Sequence, residues 1–285
     1  MSDALILSLK ESCDPRLVGG KASGLAKLIG TGFAVPAGFC VTTAVYRHCL
    51  EEAGIDTAKV WKQALHSSED PLVQEQARIR EVLLTQPWPA GFQADLELRL
   101  TNLAHDPSIR WAVRSSATNE DARAASAAGL YRTTLGRSWQ EVLPAIRECW
   151  ISLWDAHLVH WLLRFGGDMV CPAMAVIIQP MLNAQVAGVA FSIHPVTGRT
   201  TQVVINAVPG LAALLVNGNV TPDQYVVEES AEPAALLRIR RSILTEKRQK
   251  LVTTPEGVRA EPIPSVEQRQ SSLSEKQLFE LARLA

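Results

Sequence analysis

The sequence lacks an excess of either charge: 28 lysines and arginines face 29 aspartates and glutamates, a formal net charge of −1. Duplex-binding proteins carry a basic excess that displaces counterions from phosphates, so nucleic acid is not the expected partner. Long apolar runs are missing too. No stretch approaches the ~20 residues that span a bilayer. The opening MSDALILSLKESCD has acidic residues on both sides of a short apolar run, which does not fit a signal peptide. A cytoplasmic location without a membrane partner is expected. Cysteines are few and scattered. Cys13, Cys40, Cys49, Cys149 and Cys171 never form a C-x-x-C pair, which argues for free thiols in a reducing compartment and against zinc or a disulfide framework. The histidines show no H-E-x-x-H spacing. His157 and His160 can share a helix face, but two ligands do not make a metal site. Neither G-x-S-x-G, the Rossmann G-x-G-x-x-G nor the P-loop G-x-x-x-x-G-K-[ST] occurs.

What is present is the balance of a globular chain with a real core, 47% hydrophobic and 20% charged. Residues 5–9 read as a strand and DPRLVGG as a loop. A helix follows from about Lys21, with Leu25, Leu28 and Ile29 on one face and a stop at Gly32. GFCVT reads as a strand. Thr42 or Thr43 caps a helix that buries Val45, Cys49 and Leu50 and ends at Gly54. Residues 57–105 are helical, with one stripe of Leu72, Gln76, Ile79 and Leu83 and another of Phe92, Leu96, Leu100 and Leu103, parted by Pro87-Trp88-Pro89. RWAVR is a strand with alternating sides, and SSATNEDARAASAAG a loop of small residues. Ser138 and Glu141 box the start of a long helix, whose Trp139, Val142, Ile146, Trp150, Leu153 and Trp154 read as core.

After Gly166-Gly167 the pattern turns to β, with AMAVIIQP, VAGVAFS, TQVVINA, QYVVEE and LLRIR as short strands. Residues 186–191 are expected to pair with 173–179 as a hairpin, and 252–272 to form a loop. Ser274 and Gln277 cap a last helix that reaches Ala285 without a stop signal, so the native chain is expected to continue. The fold class is α+β, with a boundary near 166–175: a helix-rich part over 1–170 and a strand-rich part over 171–285.

Three features invite chemistry. Gly19-Gly20-Lys21 sits where a loop enters a helix, so backbone amides and a mobile lysine charge could meet a phosphate. A plain glycine turn with a solvated lysine accounts for the same residues. Arg114 ends a strand beside a run of small side chains, as a guanidinium forking onto phosphate oxygens would require. A surface salt bridge next to an ordinary loop fits equally. Gln179-Pro180-Met181 leaves a buried strand for a turn, where backbone can bond a base edge while methionine packs on the ring. A turn with a core methionine is the alternative.

Taken in order, GGKASGLAKL, VPAGFCVTTAVYR, WAVRSSATNED, AAGLYRTTLG, MAVIIQPM, VAGVAFSIHPVTG and VTPDQYVV resemble the N-terminal ATP-binding region of phosphoenolpyruvate synthases, pyruvate phosphate dikinases and rifampicin phosphotransferases, from about residue 16 to 285. The resemblance implies an ATP-grasp fold whose two subdomains hold ATP between them, with Mg²⁺ as a further cofactor. Lys21 and Arg114 match positions that contact ATP phosphates and carry the chemistry. Gly129 and Thr133 match phosphate-loop positions, and Gln179, Pro180 and Met181 the adenine side. It further implies phosphoryl transfer to a histidine on a separate swivelling domain, which passes it to pyruvate or another acceptor. A rifampicin-type or small-metabolite phosphotransferase and an inactive nucleotide-sensing module are the alternatives. The sequence departs from the family in three ways. The phosphohistidine segment with its Thr-Cys-His core is absent. The acidic and glutamine residues for Mg²⁺ and the γ-phosphate would fall beyond Ala285, so no metal ligand is assigned. Gly210-Leu211-Ala212-Ala213 replaces a Gly-Leu-Gly-Glu, and Asn206 stands where an acid is frequent.

Overall fold

A computed structural model describes residues 4–64, 69–106, 108–119, 131–165, 172–229 and 237–285. The chain divides into two compact units, Met1–Met181 and Leu182–Ala285. Both mix helix and sheet.

The first unit runs β1 (Ile6–Ser8), α1 (Pro15–Gly30), β2 (Phe39–Val41), α2 (Thr43–Glu52), α3 (Thr57–Ala64), α4 (Glu69–Thr85), α5 (Phe92–Leu103), β3 (Trp111–Ala117), β4 (Thr133–Arg137), a 3₁₀ turn over Trp139–Glu141, α6 (Val142–Ser152), α7 (Ala156–Phe165) and β5 (Met174–Pro180). Its sheet has the order β1-β2-β5-β3-β4, with antiparallel neighbours throughout. β5 is apolar along its length because both faces are covered. Its alternate residues serve two cores. Ala175 and Ile177 pack with Val18 and Ala22 of α1 and with Leu9 and Cys40. Met174, Val176 and Ile178 join the larger core, with residues of α2, α4, α5 and α6.

That larger core holds the tryptophan stripe. Trp150 and Trp154 are buried; Trp154 Nε1 donates to the Tyr46 hydroxyl at 2.8 Å, and the rings of Trp88 and Trp150 lie 5.4 Å apart. The Pro87-Trp88-Pro89 break is braced by Arg147. Its guanidinium donates to the carbonyls of Leu83 and Gln86 and lies 4.2 Å from the Trp88 ring centroid, so a cation satisfies the orphan carbonyls that end α4.

α1 starts earlier than the sequence suggested. Asp14 accepts from the Arg16 amide at 2.9 Å and Pro15 occupies the first turn, so DPRLVGG is helix rather than loop. The helix is interrupted at Gly19, where φ is 74° and ψ 172°. RWAVR also extends further than expected: Ser115–Ala117 are strand, in seven-residue register with β5, and the strand is buried on both sides except at Arg114. The rest of the expected loop, from 120 to 130, lies outside the described residues, Gly129 included.

The second unit is an antiparallel meander, β6 (Val186–Phe191), β7 (Gln202–Pro209), β8 (Asp223–Glu229) and β9 (Leu237–Ile243), with a single turn α8 (Ala213–Val216), a hairpin of β10 (Gln249–Thr254) and β11 (Gly257–Pro262), and α9 (Glu275–Leu284). Leu278 and Ala282 of α9 pack on Ile205, Ala207, Tyr225 and Val227. α9 begins with the expected box: the Ser274 hydroxyl accepts from Gln277 N, and Gln277 Oε1 accepts from Ser274 N. Asp223 is the polar centre of this unit. Its carboxylate accepts two bonds from the buried Lys247 ammonium, at 2.6 and 2.7 Å, and others from the amides of Thr245 and Ser272; the ammonium donates its third bond to the Gln270 carbonyl at 2.8 Å. Burial raises its pKa most, but these bonds outweigh that and hold it below the ordinary aspartate value.

Three expectations are corrected here. The 173–179/186–191 hairpin does not form, because β5 is enclosed between β2 and β3 while β6 pairs β7. Residues 252–272 are not all loop; the β10–β11 hairpin turns at residues 255–256. The division falls after Met181 instead of near 170, since β5 is the central strand of the first sheet.

Candidate functional site

The interruption of α1 has a side chain in it. Ser116 Oγ donates to the Val18 carbonyl at 2.7 Å and accepts from the Ala22 amide at 3.1 Å. A hydroxyl inserted into the ladder is a recognised cause of a kink. Gly19 allows it to come so close, because a Cβ there would lie 2.1 Å from the Ser116 carbonyl oxygen. Past the kink, Lys21 crosses to β3, where its Nζ donates to the Ser115 carbonyl at 3.0 Å. The ammonium also stands 5.5 Å from the ring centroid of Tyr131, whose hydroxyl donates to Asn119 Oδ1 at 2.7 Å.

Arg114 is the one half-exposed residue of β3. On the strand pairing it faces Thr133 of β4, and its Nη1 donates to Gln179 Oε1 at 3.3 Å. Gln179 is 5% exposed and its amide nitrogen donates to the Pro36 carbonyl at 2.9 Å. This strap fixes the glutamine, which in turn orients the guanidinium. Pro180 ends β5, and the Met181 amide adds one more bond, to the Arg110 carbonyl at 2.7 Å. Lys21 and Arg114 line one open cavity of about 540 Å³ with Gly24, Leu25, Lys27, Leu28 and Thr31.

The structure therefore brings Lys21, Arg114, Thr133 and Gln179 into one patch of the first unit, with Pro180 and Met181 next in the chain. Gly129 cannot be placed, since it lies outside the described residues. The Gln179 side chain bonds both Arg114 and the Pro36 carbonyl. Sequence reasoning passed over Ser116, Tyr131 and Asn119. The first had a signal, a serine in a strand buried on both faces, where a hydroxyl must find partners.

Among the described residues the cavity lining offers cations, a hydroxyl and apolar surface but no carboxylate. Among the described residues no group of three or more His, Cys, Asp or Glu could hold a metal ion. The residues present thus do not fit Mg²⁺ ligation by protein side chains, which calls for carboxylate oxygens. Among the described lining residues none is a carboxylate or a histidine that could serve as a general base. Asn206 lies on β7 in the second unit, where its Oδ1 accepts from Gln224 Nε2 at 3.3 Å. Gly210 has a structural reason to stay glycine: φ is 75° and a Cβ would meet the Leu251 carbonyl oxygen at 2.2 Å. Among the described residues no helix is long and apolar enough to cross a membrane.

A lysine and an arginine, far apart in sequence, thus line one open cavity on an α+β scaffold. Comparison with known families makes this specific. A model described as pyruvate phosphate dikinase, AMP/ATP-binding domain, matches residues 15–285, and the chain belongs to that family. It is 38% identical to a phosphoenolpyruvate synthase of Aeropyrum pernix over 79% of this chain and 28% of that protein. It is 32% identical to a rifampicin phosphotransferase of a Streptomyces species over 100% of this chain and 33% of that protein. It is 31% identical to the prodigiosin synthesizing transferase PigC of Serratia marcescens over 100% of this chain and 30% of that protein. The chain thus spans about a third or less of the length of these relatives.

Proposed function

We propose that this chain is the ATP-binding part of a phosphoenolpyruvate synthase-like phosphotransferase, a pyruvate, water dikinase in type, and that it phosphorylates a histidine on a separate domain. The observation that carries the reading is the convergence of Lys21 and Arg114, 93 positions apart in sequence, on one cavity. Phosphoryl transfer requires positioning and charge neutralisation more than proton transfer. A lysine point charge and a forked guanidinium supply both, and the absence of a base from the lining suits a nucleophile that arrives on another domain. In this reading Gly129 and Thr133 belong to the phosphate loop, Gln179, Pro180 and Met181 to the adenine side, and the two units are the paired subdomains of an ATP-grasp fold. Mg²⁺ would enter with the ATP phosphates. The protein would work in the cytoplasm.

Calorimetric titration with ATP and Mg²⁺ tests the site. Lys21→Ala and Arg114→Ala should each cost about 1–3 kcal/mol of affinity, the worth of a charge-assisted bond. Unchanged affinity in both variants would remove the site. A second reading, a rifampicin-type antibiotic phosphotransferase, is favoured by the match to such an enzyme over the whole of this chain. The acceptor distinguishes them: labelled pyruvate or labelled antibiotic in the full-length protein. A nucleotide sensor without turnover is favoured by Asn206 and by Ala212-Ala213 and would bind ATP without passing phosphate on.

A further inference from the structure

In an unbroken α-helix the Ala22 amide would donate to the Val18 carbonyl, four residues back. In α1 the Ser116 hydroxyl occupies that gap and bonds to both groups. Ser116 is fully buried and comes from near the C-terminal end of β3, the strand that also supplies Arg114. The next residue back, Ser115, accepts the Lys21 ammonium on its carbonyl. Two consecutive strand residues therefore hold α1 on either side of the kink. One sets where the second helical segment begins, and the other sets where the lysine charge rests.

We propose that Ser116 is a positioning residue for the nucleotide phosphates: its hydroxyl keeps α1 open at Gly19 and so aims Lys21 into the cavity shared with Arg114. This rests on the ATP reading of that cavity. Without the hydroxyl, the Ala22 amide and the Val18 carbonyl either stay unpaired or close on each other and straighten the helix. Either change moves the Lys21 backbone relative to β3. A serine that only filled space would affect stability and leave the affinity of the folded protein alone.

The test compares the 285-residue chain with Ser116→Ala, Ser116→Thr, Lys21→Ala and the Ser116→Ala/Lys21→Ala double variant. ATP affinity is read by calorimetry and stability by urea unfolding. Ser116→Ala should weaken ATP roughly tenfold, the loss of one effective hydrogen bond at the site. Ser116→Thr keeps the hydroxyl and should restore most of that affinity. In the Lys21→Ala background the serine change should add little, because the two act through one interaction. Wild-type affinity in Ser116→Ala, or the same tenfold loss with Lys21 already gone, overturns the proposal. If wild type, Lys21→Ala and Arg114→Ala all bind ATP alike, the nucleotide reading itself fails. Nitrogen NMR of the nucleotide-free chain then still decides the positioning. Ser116→Ala must change amide exchange at Ala22, faster if the amide is left unpaired and slower if it closes on Val18, and shift the Lys21 Nζ resonance; an unmoved Lys21 signal overturns it.

Discussion

At Gly19 the backbone holds φ at +74°, and the nearest atoms to a hypothetical Cβ are backbone atoms of Ser116. Backbone in a central strand cannot swing aside as a flexible side chain can. An alanine at this position therefore meets two penalties, a left-handed dihedral of about 1 kcal/mol and a clash relieved only by lifting α1 off β3. Gly19→Ala should destabilise the first unit by about 3 kcal/mol or more, the upper range for single substitutions. Tryptophan fluorescence in urea checks it, since all seven tryptophans lie at or before residue 161 and so report on that unit alone. A midpoint unchanged from wild type would contradict the close approach. The glycine pair was visible in the sequence as a turn signal. Its reason was not, because the atom that excludes a side chain belongs to a strand nearly a hundred residues away.

The same distinction runs through the elements. Features decided locally were legible: the Ser274–Gln277 box, the buried faces of α2 and α5 and the break at Pro87-Trp88-Pro89. Pairing was not, because strand partners are chosen by long-range closure. AMAVIIQP was read as a strand, but its uniform apolarity marks a strand covered on both faces, which rules out a hairpin with exposed β6. Sheet pairing also governs Glu228 on β8. Bonds from Gln202, Arg238 and Arg240, in that order, hold its carboxyl down to about 2, against an ordinary 4.5. A carboxyl whose pKa is lowered by folding stabilises fully above its unfolded value, and that contribution fades as pH falls through the folded one. The advantage of wild type over Glu228→Gln should therefore be full at pH 6 and shrink between about pH 4.5 and 2. Amide exchange in β8 is the appropriate readout, because this unit has no tryptophan. A stability difference independent of pH across that window would show that the arginines do not depend on the charge.

For the whole molecule the question is where the phosphoryl group goes. The chain spans 28–33% of three named relatives, and among the described residues the lining of the cavity on the first unit holds Lys21 and Arg114 but no cysteine, histidine or carboxylate. Cys40 and Cys149 sit close to this sheet, yet both are fully buried, and burial pushes the Cys149 thiol up to about 12, far from the thiolate that could attack. Binding and acceptance are therefore expected to be separable. Incubated with ATP labelled in its β- and γ-phosphates, the 285-residue chain alone should retain no covalent label. With Mg²⁺ and a histidine domain from a phosphoenolpyruvate synthase added, label should appear on the histidine domain. It should be acid-labile and base-stable, as a phosphoramidate is. Arg114→Ala should slow the labelling by about 10²-fold or more if the guanidinium meets charge that develops in the transition state. An equal slowing of kcat/KM with unchanged kcat would instead assign Arg114 to ground-state binding alone. Label on the ATP-binding chain itself, stable after the histidine domain is removed, would mean that a group in this chain accepts the phosphoryl and that the division of labour proposed here is wrong.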